Sequence, residues 1–197
     1  MTEARSEARH AHVIVASTSA AAGAATDTTG PEICRWLQGH GFTVTGPLVV
    51  ADGEPVGEAA RAALAPIESA GSAGSAASAG VAASPPSVIL ITGGTGVSPS
   101  DRTPEMVDPL LDLQVPGLIE EVRRRGTAKT PAAILTRGVA GFAGATFIMT
   151  LPGSPGGVRD GLDILDEVLD HLLAQRSDST KTHSLRTNLY TSSSDTR

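Results

Sequence analysis

The chain has 197 residues and a net charge of −6, with no basic block, so a nucleic-acid partner is not expected. Aromatic residues make up only 3% of it, which leaves Val, Ile, Leu and Ala to build the core of one domain of ordinary size. No apolar run approaches the length of a membrane span. A single cysteine, Cys34, excludes an intrachain disulfide and fits a reducing, cytoplasmic setting.

Residues 1–11 are polar and predicted to be flexible. Arg5 and Arg9 ahead of "HVIVASTSAAAGAA" imitate a secretory leader only faintly, because the apolar run is short and Glu3 and Glu7 precede it. "HVIVAS" (12–17) predicts a buried strand. "DTTGPEICRWLQGHG" predicts a helix with Pro31 in its first turn and Ile33, Trp36 and Leu37 on one face. "FTVTGPLVV" (42–50) predicts a second strand, straight or bent, and "PVGEAARAAL" a second helix. The stretch 68–87 is almost wholly Ala, Gly and Ser. It offers nothing large to bury, so a flexible insertion is expected near 69–86, although its Ala-rich parts could also prolong the preceding helix.

"SVILIT" (87–92) is the clearest strand. Short helices are expected at 104–111 and 117–125, and further strands at "AAILT" (132–136) and "ATFIMTL" (145–151). A helix is expected over 155–174, where Val158, Leu162, Leu165, Val168, Leu169 and Leu172 repeat at three and four residues. The Ser/Thr-rich end, 177–197, is expected to be disordered. Helices alternate with continuously apolar strands, which predicts an α/β domain over 12–174: three layers, α/β/α, around a mostly parallel sheet.

Ligands of such sheets bind beyond the strand carboxyl ends, where "TGGTG" (92–96) falls. The turn is not a Walker A loop, for it has no Lys, and Pro99 stands where a dinucleotide fingerprint needs its third Gly. Thr103-Pro104 and Ser154-Pro155 each pair a capping residue with proline at a helix start, and Thr29-Gly30-Pro31 is similar. Each follows a predicted strand, so these starts should gather with Thr92–Gly96 at one rim, suited to phosphate groups. Asp101 and Asp52 fall at the same rim. Two carboxylates beside phosphate need a cation between them, and Mg2+ fits.

"TGGTGVSPSDRTPE" resembles the "TGGTG…RD-x-TPE" signature of the Mog/MoaB family of molybdenum cofactor biosynthesis, to which the gephyrin N-terminal domain also belongs. "TRGVAGFAGATFIMTLPGSPGGVRDGL", "DTTGP" and "VPGLIEEVR" resemble further motifs of that family. The resemblance implies a molybdopterin-binding domain that commonly forms homo-oligomers, often trimers. It implies adenylylation of the molybdopterin phosphate by ATP and Mg2+, with the product handed to a molybdate-inserting partner enzyme. Asp101 and Asp52 match functional, metal-positioning aspartates. Thr92, Gly93, Gly94, Thr95, Gly96, Thr103, Pro104, Glu105, Gly153, Ser154, Pro155 and Gly156 match or adjoin the ligand-binding loops. Ser100, Thr18 and Thr150 depart from the usual Arg, Asp and Asn. A non-catalytic molybdopterin carrier or scaffold of the same fold is the alternative.

Overall fold

The computed structural model describes residues 9–65 and 85–191. Runs of β-branched residues and leucine without polar alternation need cover on both faces, and the sheet provides it. β1 (Arg9–Ala16), β2 (Phe42–Val50), β3 (Val88–Thr92) and β6 (Thr146–Leu151) lie in the order β2-β1-β3-β6, all parallel. Every residue of β3 and β6 is buried. Two antiparallel strands, β5 (Ala140–Ala143) and β4 (Leu113–Gln114), complete the sheet beyond β6.

A single-turn helix, α1 (Thr18–Ala21), follows β1, and the other helices divide between the faces. α2 (Thr29–Gly39), α5 (Pro116–Thr127) and α6 (Pro155–Thr191) put Ile33, Leu37, Ile119, Val122, Leu162 and Leu165 against one face of the sheet. α3 (Glu54–Leu64) and the short α4 (Thr103–Val107) cover the other with Val56, Ala60, Ala63 and Val107. Burying a side chain such as Leu37 contributes about 2 kcal/mol relative to leaving it in water, so the apolar stripes decide which way each helix faces. Cys34 is buried on α2, where burial first, and the nearby Asp27 second, raise its thiol pKa. Because α2 and α3 leave the sheet on opposite sides, a crevice opens at the carboxyl ends of β1 and β3.

Three local expectations are corrected. Residues 132–136 do not form a strand. They lie in a 3-10 helix, Pro131–Leu135, with Ile134 63% and Leu135 49% exposed. Pro131 favours a helical start, and the sheet position beside β6 is filled by the adjacent strand β5, whose tight connection through Gly144 makes the pairing local. α6 runs to Thr191 rather than stopping at Ala174, into the segment 177–197 expected to be disordered; once nucleated, a helix gains one hydrogen bond for each residue it adds. α3 closes at Leu64 with Ala65 extended, and the insertion expected near 69–86 lies almost wholly outside the described residues. The first strand begins at Arg9, inside the segment 1–11 expected to be flexible; residues 1–8 and 192–197 also lie outside the described part. No helix among the described residues is long and apolar enough to cross a membrane.

Candidate functional site

The turn after β3 is drawn against the turn after β6. Thr92 Oγ1 donates to the Pro152 carbonyl at 2.9 Å, and Gly93 N–H donates to the Leu151 carbonyl at 3.1 Å. Gly93 and Gly94 both take positive φ, +92° and +61°, a conformation that costs other residues about 1 kcal/mol or more. A Cβ on Gly94 would also come within 2.7 Å of Asp52 Oδ1. Only glycine leaves room for the two carboxyl-end loops to meet here.

Arg137 fastens this turn from outside. Its Nε donates to the Gly96 carbonyl at 2.7 Å, its Nη2 to the Asp101 carbonyl, and its Nη1 pairs with Glu105. Its backbone N–H donates to the Thr95 carbonyl at 2.8 Å, and the Thr136 hydroxyl donates to Thr95 Oγ1 at 3.0 Å. The Arg137 hydrogen bond holds the Glu105 carboxyl below its ordinary pKa. Asp101 closes a turn of its own: its Oδ2 accepts from the Ser98 N–H at 3.0 Å, and its N–H donates to the Ser98 carbonyl at 2.9 Å.

Asp52, after β2, is held differently. Its Oδ2 accepts from both the N–H (3.0 Å) and the hydroxyl (2.9 Å) of Thr18, which follows β1. Thr18, one of the departures from the family pattern, is therefore the residue that orients Asp52. Thr150, another departure, is buried, and its Oγ1 accepts from Val139 N–H at 2.7 Å; it pins β6 to the start of β5 and borders neither cavity described next. Ser100, the third, borders the smaller cavity described next.

Two cavities flank the glycine turn. One of about 580 Å3 lies at the ends of β1, β2 and β3 and is bordered by Thr18, Asp27, Asp52, Thr92, Gly93 and Ser100. The other, about 660 Å3, lies between the turn, α5, the 3-10 helix and the start of α6, bordered by Thr95, Gly96, Lys129, Leu135, Ser154 and Asp160. Gly94, Asp101 and Gly153 border both. Asp52 and Asp101 thus both border the smaller cavity.

Of the sequence-predicted residues, Asp52, Asp101, Thr92, Gly93, Gly94, Thr95, Gly96, Gly153, Ser154 and Gly156 border one or both cavities. Thr103, Pro104, Glu105 and Pro155 border neither. Thr103 and Pro104 are buried within α4, and Glu105 is taken up by Arg137. Thr103 is not a cap: Arg102 occupies the N-cap position, and Thr103 Oγ1 is buried without a hydrogen-bond partner. Ser154 does cap α6, its Oγ accepting from Gly157 N–H at 3.2 Å. At α2 the capping group is Asp27 rather than Thr29, its Oδ1 accepting from the N–H groups of Thr29 (2.9 Å) and Gly30 (3.0 Å). Arg159 faces away, 3.7 Å from Glu32, and Arg102 is exposed.

Sequence reasoning passed over Lys129 and Asp160, which form an ion pair on the wall of the larger cavity. They lie 31 positions apart, and no local pattern joins them. Among the described residues, no cluster of three or more His, Cys, Asp or Glu side chains is arranged to hold a metal. A cation here would need oxygens from a ligand as well as Asp52 and Asp101. The donor set suits Mg2+, which takes a carboxylate or two plus phosphate oxygens.

Residues 12–171 match the family described as "Probable molybdopterin binding domain". A molybdenum cofactor biosynthesis bifunctional protein of Synechococcus elongatus is 37% identical over 164 residues, 83% of this chain and 46% of that protein, so the chain spans about half the length of this curated relative. A solved MogA structure is 49% identical with a TM-score of 0.73, covering 85% of this chain and 99% of that one. A molybdopterin adenylyltransferase of Helicobacter pylori is 36% identical over 76 residues, 39% of this chain and 43% of that protein. With the glycine turn, its aspartates and the three-layer sheet in place, the chain belongs to the Mog/MoaB family of molybdenum cofactor biosynthesis proteins.

Proposed function

We propose that the chain adenylylates molybdopterin, using ATP and Mg2+ and releasing pyrophosphate. The observation that supports this best is the pair of cavities sharing Gly94, Asp101 and Gly153, which would let two ligands meet across one turn. The larger cavity, with Val97, Ala133 and Leu135 in its wall, suits a flat pterin ring; the smaller, lined by hydroxyls, Asp27 and Asp52, suits the nucleotide phosphates. The Helicobacter relative's name points the same way.

In the reaction, an oxygen of the pterin phosphate attacks the α-phosphorus of ATP, a P–O bond forms, and the α–β bridging bond breaks with pyrophosphate leaving. The chain contributes mainly alignment and charge balance. Arg137 keeps the turn rigid so that Asp101 stays between the cavities, and Thr18 fixes Asp52 at the smaller one. Mg2+ held by these two carboxylates would offset the phosphate charge.

The test is pyrophosphate release by the purified protein with molybdopterin, ATP and Mg2+. Release should require all three. Asp101→Asn should still bind the pterin and lose release. Tight pterin binding by the unaltered protein without any release would favour a non-catalytic carrier, a reading supported by Ser100, which brings no positive charge to the smaller cavity where the family usually has Arg.

A further inference from the structure

We infer that Asp160 is the residue by which the larger cavity recognises its ring, accepting hydrogen bonds from the 2-amino and N3–H groups of a pterin. The inference rests on the reading that this cavity holds the pterin.

Asp160 is only 4% exposed, yet it borders the 660 Å3 cavity. Burying a carboxylate is costly unless its acceptor sites are used. A carboxylate offers about four such sites, and among the described residues Asp160 has one partner, Lys129, on Oδ1. Oδ2 lies near Gly126, 4.0 Å from where a Cβ on that residue would sit. Lys129 also borders the cavity, with its side chain 66% exposed.

The position is an awkward one for a purely structural carboxylate. The end of α5, the negative pole of that helix, is near: Gly126 is in its last turn, and the Gly126 carbonyl accepts from Lys129 and Thr130 N–H. Lys129 offsets that charge at Oδ1, and no described residue hydrogen-bonds Oδ2. The neighbouring wall carries the apolar Val122, Ala132, Ala133 and Leu135. A ring lying on this wall would present its edge to Asp160. The aminopyrimidinone edge of a pterin carries two adjacent N–H donors and pairs with a carboxylate in the bidentate way that a guanidinium does. A carboxylate at this place selects for a donor edge and against a ring that offers a carbonyl instead.

The experiment is calorimetric titration with 6-hydroxymethylpterin and with the matching lumazine, in which an oxo group replaces the 2-amino group. The unaltered protein should bind the pterin about 10- to 100-fold more tightly, the range expected for hydrogen bonds to a charged group. Asp160→Asn, which keeps size and offers a donor, should bring the two affinities together. Equal affinities in the unaltered protein overturn the proposal, and that comparison needs no variant to fold. A preference that survives in Asp160→Asn overturns it as well. GMP carries the same edge, and GMP binding more tightly than the pterin would assign Asp160 to a guanine nucleotide and overturn the pterin role. Pyrophosphate release without any pterin-over-lumazine preference would remove Asp160 alone, whereas no pterin binding at all would remove the adenylylation reading with it.

Discussion

The two aspartates that border the smaller cavity are secured by opposite strategies. Asp52 is held by the main chain and hydroxyl of Thr18, across neighbouring parallel strands, with no cation involved. Asp101 sits in a tight turn of its own, and that turn is fastened from 36 positions away by one guanidinium. The β1–β2 side is therefore as rigid as the strand pairing beneath it. The β3–β6 side depends on Arg137. The proposed meeting of two ligands would be well served by one fixed carboxylate and one whose setting can be released at a single point.

Four experiments would break or sharpen this contrast. The largest effect is expected from Gly94→Ala, because Gly94 touches both sides: the added methyl meets Asp52 and must also adopt φ of +61°. A stability loss of about 2–3 kcal/mol is expected by denaturant unfolding, with loss of pyrophosphate release. A folded, active variant would show that the two loops are free to separate.

Arg137→Met comes next. Losing the bonds to the Gly96 and Asp101 carbonyls should cost about 1–2 kcal/mol and lower pyrophosphate release roughly 10- to 100-fold. Amide hydrogen exchange should speed up at 94–103 and stay unchanged at 16–20. Equal acceleration in both segments would contradict the division.

Thr18→Val keeps the shape and removes the hydroxyl, while the Thr18 N–H still donates to Asp52. About 1 kcal/mol is expected, with a smaller effect on release than Arg137→Met. A larger effect would make Asp52 the more fragile of the pair.

The smallest effect is a pH dependence. Arg137 lowers the Glu105 pKa from its ordinary 4.5, so at pH values between the two the unfolded chain binds more protons. The contribution is complete above 4.5 and fades as pH falls through the lowered folded value. Glu105 is 46% exposed, so solvent screening keeps it small. The melting-temperature gap between the unaltered protein and Glu105→Gln should shrink on acidification. A gap that widens would mean the ion pair opposes the strap.

Sequence reading succeeded where the signal is local. "SVILIT" is apolar throughout because β3 is covered on both faces, and the α6 stripe repeats at helical spacing because one side of that helix meets the sheet. The glycine turn was legible because few other residues accept its backbone. The failures share a cause. "AAILT" has the composition of a strand, but the place it would fill was taken by β5, whose short Ala-Gly-Phe-Ala run hides its pairing from a hydropathy reading. Thr103 looks like a cap from its neighbours, yet its side chain points into protein. The tie from Arg137 to Asp101 and the pair Lys129–Asp160 exist only once distant segments have been brought together.

Cys34, buried on α2 with its thiol kept protonated, has a practical consequence. Alkylating reagents attack thiolates, so they must wait until this helix lifts from the sheet. With one cysteine in the whole chain, the rate of modification by iodoacetamide is a single-site clock for that opening. Ligands that brace the crevice can then be ranked by how far they slow it.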